Sequence, residues 1–160
     1  MPPPDEALDG AAVRVPPPLV PLLALGIGIA LQLAVWPIPS PVEGLARYAS
    51  GTLLILAGVG LLVAAMRPFQ ETGQDPKPWE STPEIISTGI YRFTRNPMYL
   101  GMGLLQAGIG LSLANPWVVG LVPISWLIIY TVAIRHEEAY LEAKFGSAYT
   151  DYKRSVRRWL

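Results

Sequence analysis

The 160-residue sequence predicts an all-α integral membrane protein, a bundle of four transmembrane helices followed by amphipathic helices at its cytoplasmic end. Three observations lead there. Charge is scarce, at 15%, and unevenly spread: 28 uncharged residues separate Arg14 from Glu43, 19 separate Arg47 from Arg67, and 39 separate Arg95 from Arg135. Runs of this length suit the roughly 20 apolar residues that cross a hydrocarbon core. The longest exceeds one helix and is broken halfway by Asn115-Pro116, a pair that disfavours continued helix and suits a tight turn. Finally, Lys and Arg gather in the 67–96 connection and after residue 134, which sets the orientation through the positive-inside bias.

Residues 1–18, proline-rich and without apolar period, read as a disordered leader. The first span covers 19–36 and closes at Trp36, Pro37, Pro39 and Pro41, with the indole at interface depth. The second covers 48–66, where Gly51, Gly58, Gly60 and Ala64 offer small positions to a neighbouring helix. Residues 19–66 thus form an N-terminal pair of spans. The remainder, 67–160, reads as the catalytic region: a cytoplasmic segment, a helical hairpin over 98–134, and C-terminal amphipathic helices. Within the hairpin the spans are 98–114 and 117–134, and Gly101, Gly103, Ala107, Gly108 and Gly110 mark the first as close-packing. A further helix from 134 stops at Gly146, after which Ser147 is positioned to cap a last helix. On that helix Tyr149, Tyr152, Val156 and Trp159 share a stripe flanked by Lys153, Arg154, Arg157 and Arg158. The pattern suits a helix in the headgroup layer with anionic lipid as its partner. Both termini and the 67–96 segment are expected on the cytoplasmic face of a bacterial inner membrane.

Composition also narrows the chemistry. Zero net charge gives no global field for nucleic acid. No cysteine and a single histidine, His136, leave no metal set, disulfide or thiol nucleophile to build. Polar groups concentrate in two blocks, 87–99 before the hairpin and 135–138 after it, which a hairpin brings to the same membrane face. Glu137 and Glu138 opposite Arg95, Asn96, Tyr91 and Tyr99 suit a zwitterionic ligand, its amino group on a Glu and its carboxylate on an Arg. Plainer roles exist for each: Arg92 and Arg95 as topology determinants, Tyr91 and Tyr99 as belt aromatics, Glu137 and Glu138 as a solvated helix start, His136 as an interfacial histidine.

The run 89–101 (GIYRFTRNPMYLG), followed by Glu137-Glu138, Phe145-Gly146, Tyr149 and Tyr152, resembles the isoprenylcysteine carboxyl methyltransferase and phospholipid methyltransferase family. The signature of that family is similar to G-x-Y-x-x-x-R-[HN]-P-x-Y, a helical hairpin, then E-E-x-x-L and F-G-x-x-Y-x-x-Y. The likeness covers roughly residues 68–158. It implies a membrane-embedded methyltransferase that uses S-adenosylmethionine, with a lipophilic acceptor entering from the bilayer, a prenylcysteine-like carboxylate or a related lipid. By the same likeness Tyr91, Asn96, Pro97, Met98, Tyr99 and Glu137 bind the cofactor, while Pro83, Glu84, Ile85 and Ile86 cover its adenosine. Arg95 stands between cofactor and acceptor, and Glu138 or a tyrosine is available to take a proton from an amine acceptor. Two positions depart from the pattern. Asn96 stands where histidine is usual, and Ala133 where eukaryotic prenylcysteine enzymes carry an arginine; the second speaks against prenylcysteine as the acceptor. Competing readings are a phospholipid amine N-methyltransferase, a nicotinamide-dependent reductase and a non-catalytic membrane subunit.

Overall fold

The computed structural model describes residues 10–160, and every regular element among them is helical. Helix α1 spans Leu19–Ala30 and runs on through a π turn, Leu31–Val35; α2 spans Gly44–Thr72. A single 3-10 turn, Gly89–Arg92, precedes α3, Pro97–Ser112. Then come α4 (Pro116–Gly120), α5 (Val122–Ile129) with a π turn at Tyr130–Ile134, α6 (Arg135–Phe145) and α7 (Ser147–Ser155). Elements α4 to α6 form one helical rod. This rod and α2 are long and apolar enough to cross a membrane, whereas the stretch Leu19–Val35 is apolar but shorter. The all-α membrane architecture therefore stands, while a count of four crossings also rests on the shorter α1 and α3.

Burial follows the solvent. Leu22, Leu23 and Ile27 on α1, Leu53, Leu56 and Val63 on α2, and Ile124 and Leu127 on α5 are exposed. A continuous apolar surface of that kind suits hydrocarbon rather than water. Helix packing relies instead on close backbone approach. A Cβ on Gly58 would lie 2.8 Å from the Gly101 carbonyl oxygen, and one on Gly108 would lie 2.7 Å from that of Gly51. Seven residues apart on each antiparallel helix, these two contacts join α2 to α3. Gly60 meets nothing and faces outward, so its predicted packing role is not realised.

The predicted turn forms at Asn115-Pro116. Ala114 takes a left-handed φ of 52°, Pro116 opens α4, and the Asn115 side chain accepts from the Val118 N–H at 3.1 Å. The same amide donates to the Gly28 carbonyl at 3.2 Å, so one residue caps the returning helix and ties α1 to it.

Several expectations need correction. Residues 1–9 of the leader lie outside the described residues; within 10–18, Ala11 and Val13 are buried, and the Ala11 N–H donates to the Pro78 carbonyl at 2.9 Å. Aperiodic sequence can be held by tertiary contacts that composition does not reveal. Helix α2 continues six residues past the predicted end of its span, to a left-handed Gly73 at φ 68°. Ser147 makes no capping bond; Gly146, at φ 55°, occupies the cap position. The predicted stripe outlasts α7, which ends at Ser155, and it faces protein: Tyr149 is buried, the Tyr152 hydroxyl donates to the Tyr91 carbonyl at 2.7 Å, and Trp159, beyond the helix, packs against Trp126 at 5.7 Å. An amphipathic stripe specifies burial without naming what covers it.

Candidate functional site

The hairpin brings the two polar blocks together. The 3-10 turn and the first turn of α3 supply Tyr91, Arg95, Asn96, Pro97, Met98 and Tyr99, and α6 supplies Glu137; all line one cavity. Its empty space is about 780 Å³, a figure that includes the open mouth. The 67–96 segment closes another side through Ile85 and Ile86, whereas Pro83 and Glu84 are exposed and do not line it. His136 is half-buried and also outside the wall.

Local backbone rules fix the motif. Pro97 opens α3 at a position where its missing N–H costs nothing. Asn96 just before it lies outside the helical region, with its side-chain amide donating to the Arg158 carbonyl at 3.1 Å. The Thr94 hydroxyl donates to that same carbonyl at 3.1 Å, and the Arg95 N–H donates to the Arg157 carbonyl at 3.0 Å. The C-terminal segment thus returns across more than 60 residues of sequence to brace the turn. At the other end of the cavity the Tyr99 hydroxyl donates to Glu137, which aims this carboxylate across the hairpin at α3.

Arg95 and Glu138 have different surroundings from those predicted for a reactive pair. Glu138 is buried and lies outside the cavity wall. Both of its oxygens accept from Arg158, at 2.8 and 3.0 Å, and Arg95 Nη1 stands 3.2 Å away. Two guanidiniums therefore share the Glu138 carboxylate. Arg95 does line the cavity, its side chain only 9% exposed; Nη1 is ion-paired with Glu138, while the buried Nε has no hydrogen-bond acceptor. Buried donors without an acceptor are costly, and an anionic ligand group in the cavity would relieve them. Near this cluster, burial pushes the Tyr149 hydroxyl up to about 12, with Glu138 adding to the effect and Arg95 opposing it. Tyr152 moves in the same direction, again chiefly by burial. Neither phenol can act as a base near neutral pH.

Sequence reasoning missed part of the wall. Phe69, reached only because α2 outruns the span, packs edge-on to Tyr91 at 6.0 Å. Ala11, the 75–78 stretch, Thr82, Tyr140 and Leu141 complete it. Only α6 carried a readable signal, since Leu141 follows Glu137 by one helical turn. A second, apolar groove lies between α3 and α5, lined by Leu100, Trp126, Leu127, Tyr130 and Trp159, with Arg158 at its edge. The Arg158 guanidinium sits 5.0 Å above the Tyr130 ring.

Comparison with known proteins identifies relatives by sequence. The chain is 36% identical over 111 residues to a protein-S-isoprenylcysteine O-methyltransferase of Saccharomyces cerevisiae, covering 66% of this chain and 45% of that protein. A Dictyostelium discoideum protein of the same name is 36% identical over 73 residues, or 45% of this chain and 30% of its own. The mouse protein of that name is 28% identical over 138 residues, 84% of this chain and 47% of its own. The chain thus spans less than half the length of each of these relatives. No solved structure matches it. The sequence model of the phospholipid methyltransferase family matches residues 46–148, from the start of α2 into α7 and across both halves of the cavity, and the chain belongs to that family.

Proposed function

We propose that the protein is an S-adenosylmethionine-dependent methyltransferase of the membrane that methylates an anionic, lipophilic acceptor. The observation that carries this reading is Arg95: a cavity-lining guanidinium, buried, whose Nε has no acceptor and whose one carboxylate partner, Glu138, is shared with Arg158. The other walls suit the cofactor. Glu137 and Asn96 offer polar partners for amino and ribose groups, while Ile85, Ile86 and Phe69 offer an apolar side for a purine. When bound, S-adenosylmethionine supplies an electrophilic methyl on a positively charged sulfur, and the thioether that remains is neutral.

The chain's own work is then alignment and exclusion of water. Arg95 would hold the acceptor's anionic oxygen beside the cofactor site, and a carboxylate acceptor brings no proton for the chain to remove. The acceptor's hydrocarbon portion lies in the apolar groove between α3 and α5, reached from the bilayer, with Arg158 joining that groove to the Arg95 cluster. An amine acceptor is less well served. It must lose a proton, yet both oxygens of Glu138 are engaged by Arg158 and the nearby phenols hold their protons too tightly.

Titration calorimetry of the detergent-solubilised protein with S-adenosylmethionine tests the cofactor. Saturable binding is expected, and Glu137→Ala should weaken it about tenfold or more, the scale of a lost hydrogen bond to a charged group, while the protein stays monodisperse. Mass spectrometry of native lipids incubated with methyl-labelled cofactor tests the acceptor. A base-labile methyl ester supports the anionic reading, and a base-stable N-methyl product refutes it.

A further inference from the structure

The cavity has one wall from outside the family's matched region. Gly10, Ala11 and Val13 precede residue 46, where the family match begins, yet Ala11 lines the cavity together with Pro76, Pro78 and Glu137. The segment is held there from two sides. The Ala11 N–H donates to the Pro78 carbonyl at 2.9 Å, and Val13 is buried in the cluster formed by Tyr99, Ile129 and Ile134. Gly10 passes so near the Trp79 backbone that a Cβ would overlap its carbonyl. That contact involves main chain on both sides, so only glycine fits without moving Trp79 and the adjoining 75–78 stretch, which is part of the wall.

From this geometry we propose that residues 10–13 are a binding element for the cofactor, with Ala11 the residue whose small side chain makes room for it. The inference rests on the reading of the cavity as an S-adenosylmethionine site. The Ala11 methyl, Pro76 and Pro78 present an apolar surface beside the Asp75–Lys77 ion pair, suited to the flat face of a purine rather than to the cofactor's charged amino-acid end. Glu137 and Asn96 supply the polar partners for that end. The fold reaches the same cavity from both sides of its first span, so the N-terminal segment carries a binding function in addition to connecting to α1.

Because the chain contains no cysteine, a single introduced thiol reports on one position without background. In full-length Ala11→Cys protein, saturating S-adenosylmethionine should slow alkylation by N-ethylmaleimide about tenfold or more. The same thiol placed by Val15→Cys, an exposed position outside the wall, should react at one rate with or without cofactor. In parallel, Ala11→Leu, which extends three further carbons into the cavity, should weaken cofactor binding about tenfold, and Ala11→Gly should bind within about twofold of the native chain. If the native chain binds S-adenosylmethionine but Ala11→Cys reacts equally with and without it, the wall assignment fails and the cofactor reading survives. Equal affinity of Ala11→Leu and the native chain has the same meaning. If the native chain shows no binding, both fail together.

Discussion

Arg158 shows how much one side chain can organise. Its guanidinium holds both oxygens of Glu138, its carbonyl accepts from Thr94 and Asn96, and its charge lies over Tyr130. Forked, two-point pairing of this kind is specific to arginine. Arg158→Ala should therefore lower thermal stability by about 1–3 kcal/mol, the range for hydrogen bonds to a charged group, and Arg158→Lys should recover only part of the loss. Thermal unfolding in detergent measures both, and a melting temperature unchanged in Arg158→Ala would show that the bracing is unimportant. Nothing in the local sequence marks this residue. It reads as one more cation in a basic tail, because its partners lie some 20 and 60 positions earlier in the chain. Arg95, Asn96 and Glu137 were legible because they belong to short motifs whose spacing carries their role.

At the scale of elements, small residues decide where helices meet, and only their direction decides which of them count. Gly51, Gly58 and Gly60 look alike in sequence, but the first two face α3 and the third faces outward. Gly108→Leu should force α2 and α3 apart and destabilise the bundle by about 1–3 kcal/mol, the usual penalty for overpacking. Gly60→Leu should be tolerated. Size-exclusion profiles and melting curves of the two variants side by side provide the check, and equal behaviour would sink the close-approach account. The π turn at Tyr130–Ile134 is another feature without a sequence signal. It inserts a wider turn directly before α6 and so resets the helix face that presents Glu137.

For the whole molecule, the distribution of Lys and Arg sets an expected orientation, with the cavity and both termini on the cytoplasmic side. Single thiols in the cysteine-free chain test it. With a membrane-impermeant maleimide, Asp151→Cys and Ser87→Cys should label only in inside-out vesicles, and Glu43→Cys only in right-side-out ones. Labelling of all three from one side would overturn the arrangement of spans.

The sequence by itself determined the solvent of each segment, the turn at Asn115-Pro116 and the two polar blocks that meet beside the hairpin. These are local properties: charge depletion, a proline's missing donor, a motif's spacing. Tertiary structure alone decided that Ala11 lines the cavity, that the Arg157 and Arg158 carbonyls brace the turn carrying Arg95 and Asn96, and that Glu138 is locked by two arginines instead of being free to accept a proton. Such contacts join positions far apart in the chain, where no periodicity relates the partners and only the folded path brings a donor within reach of its acceptor.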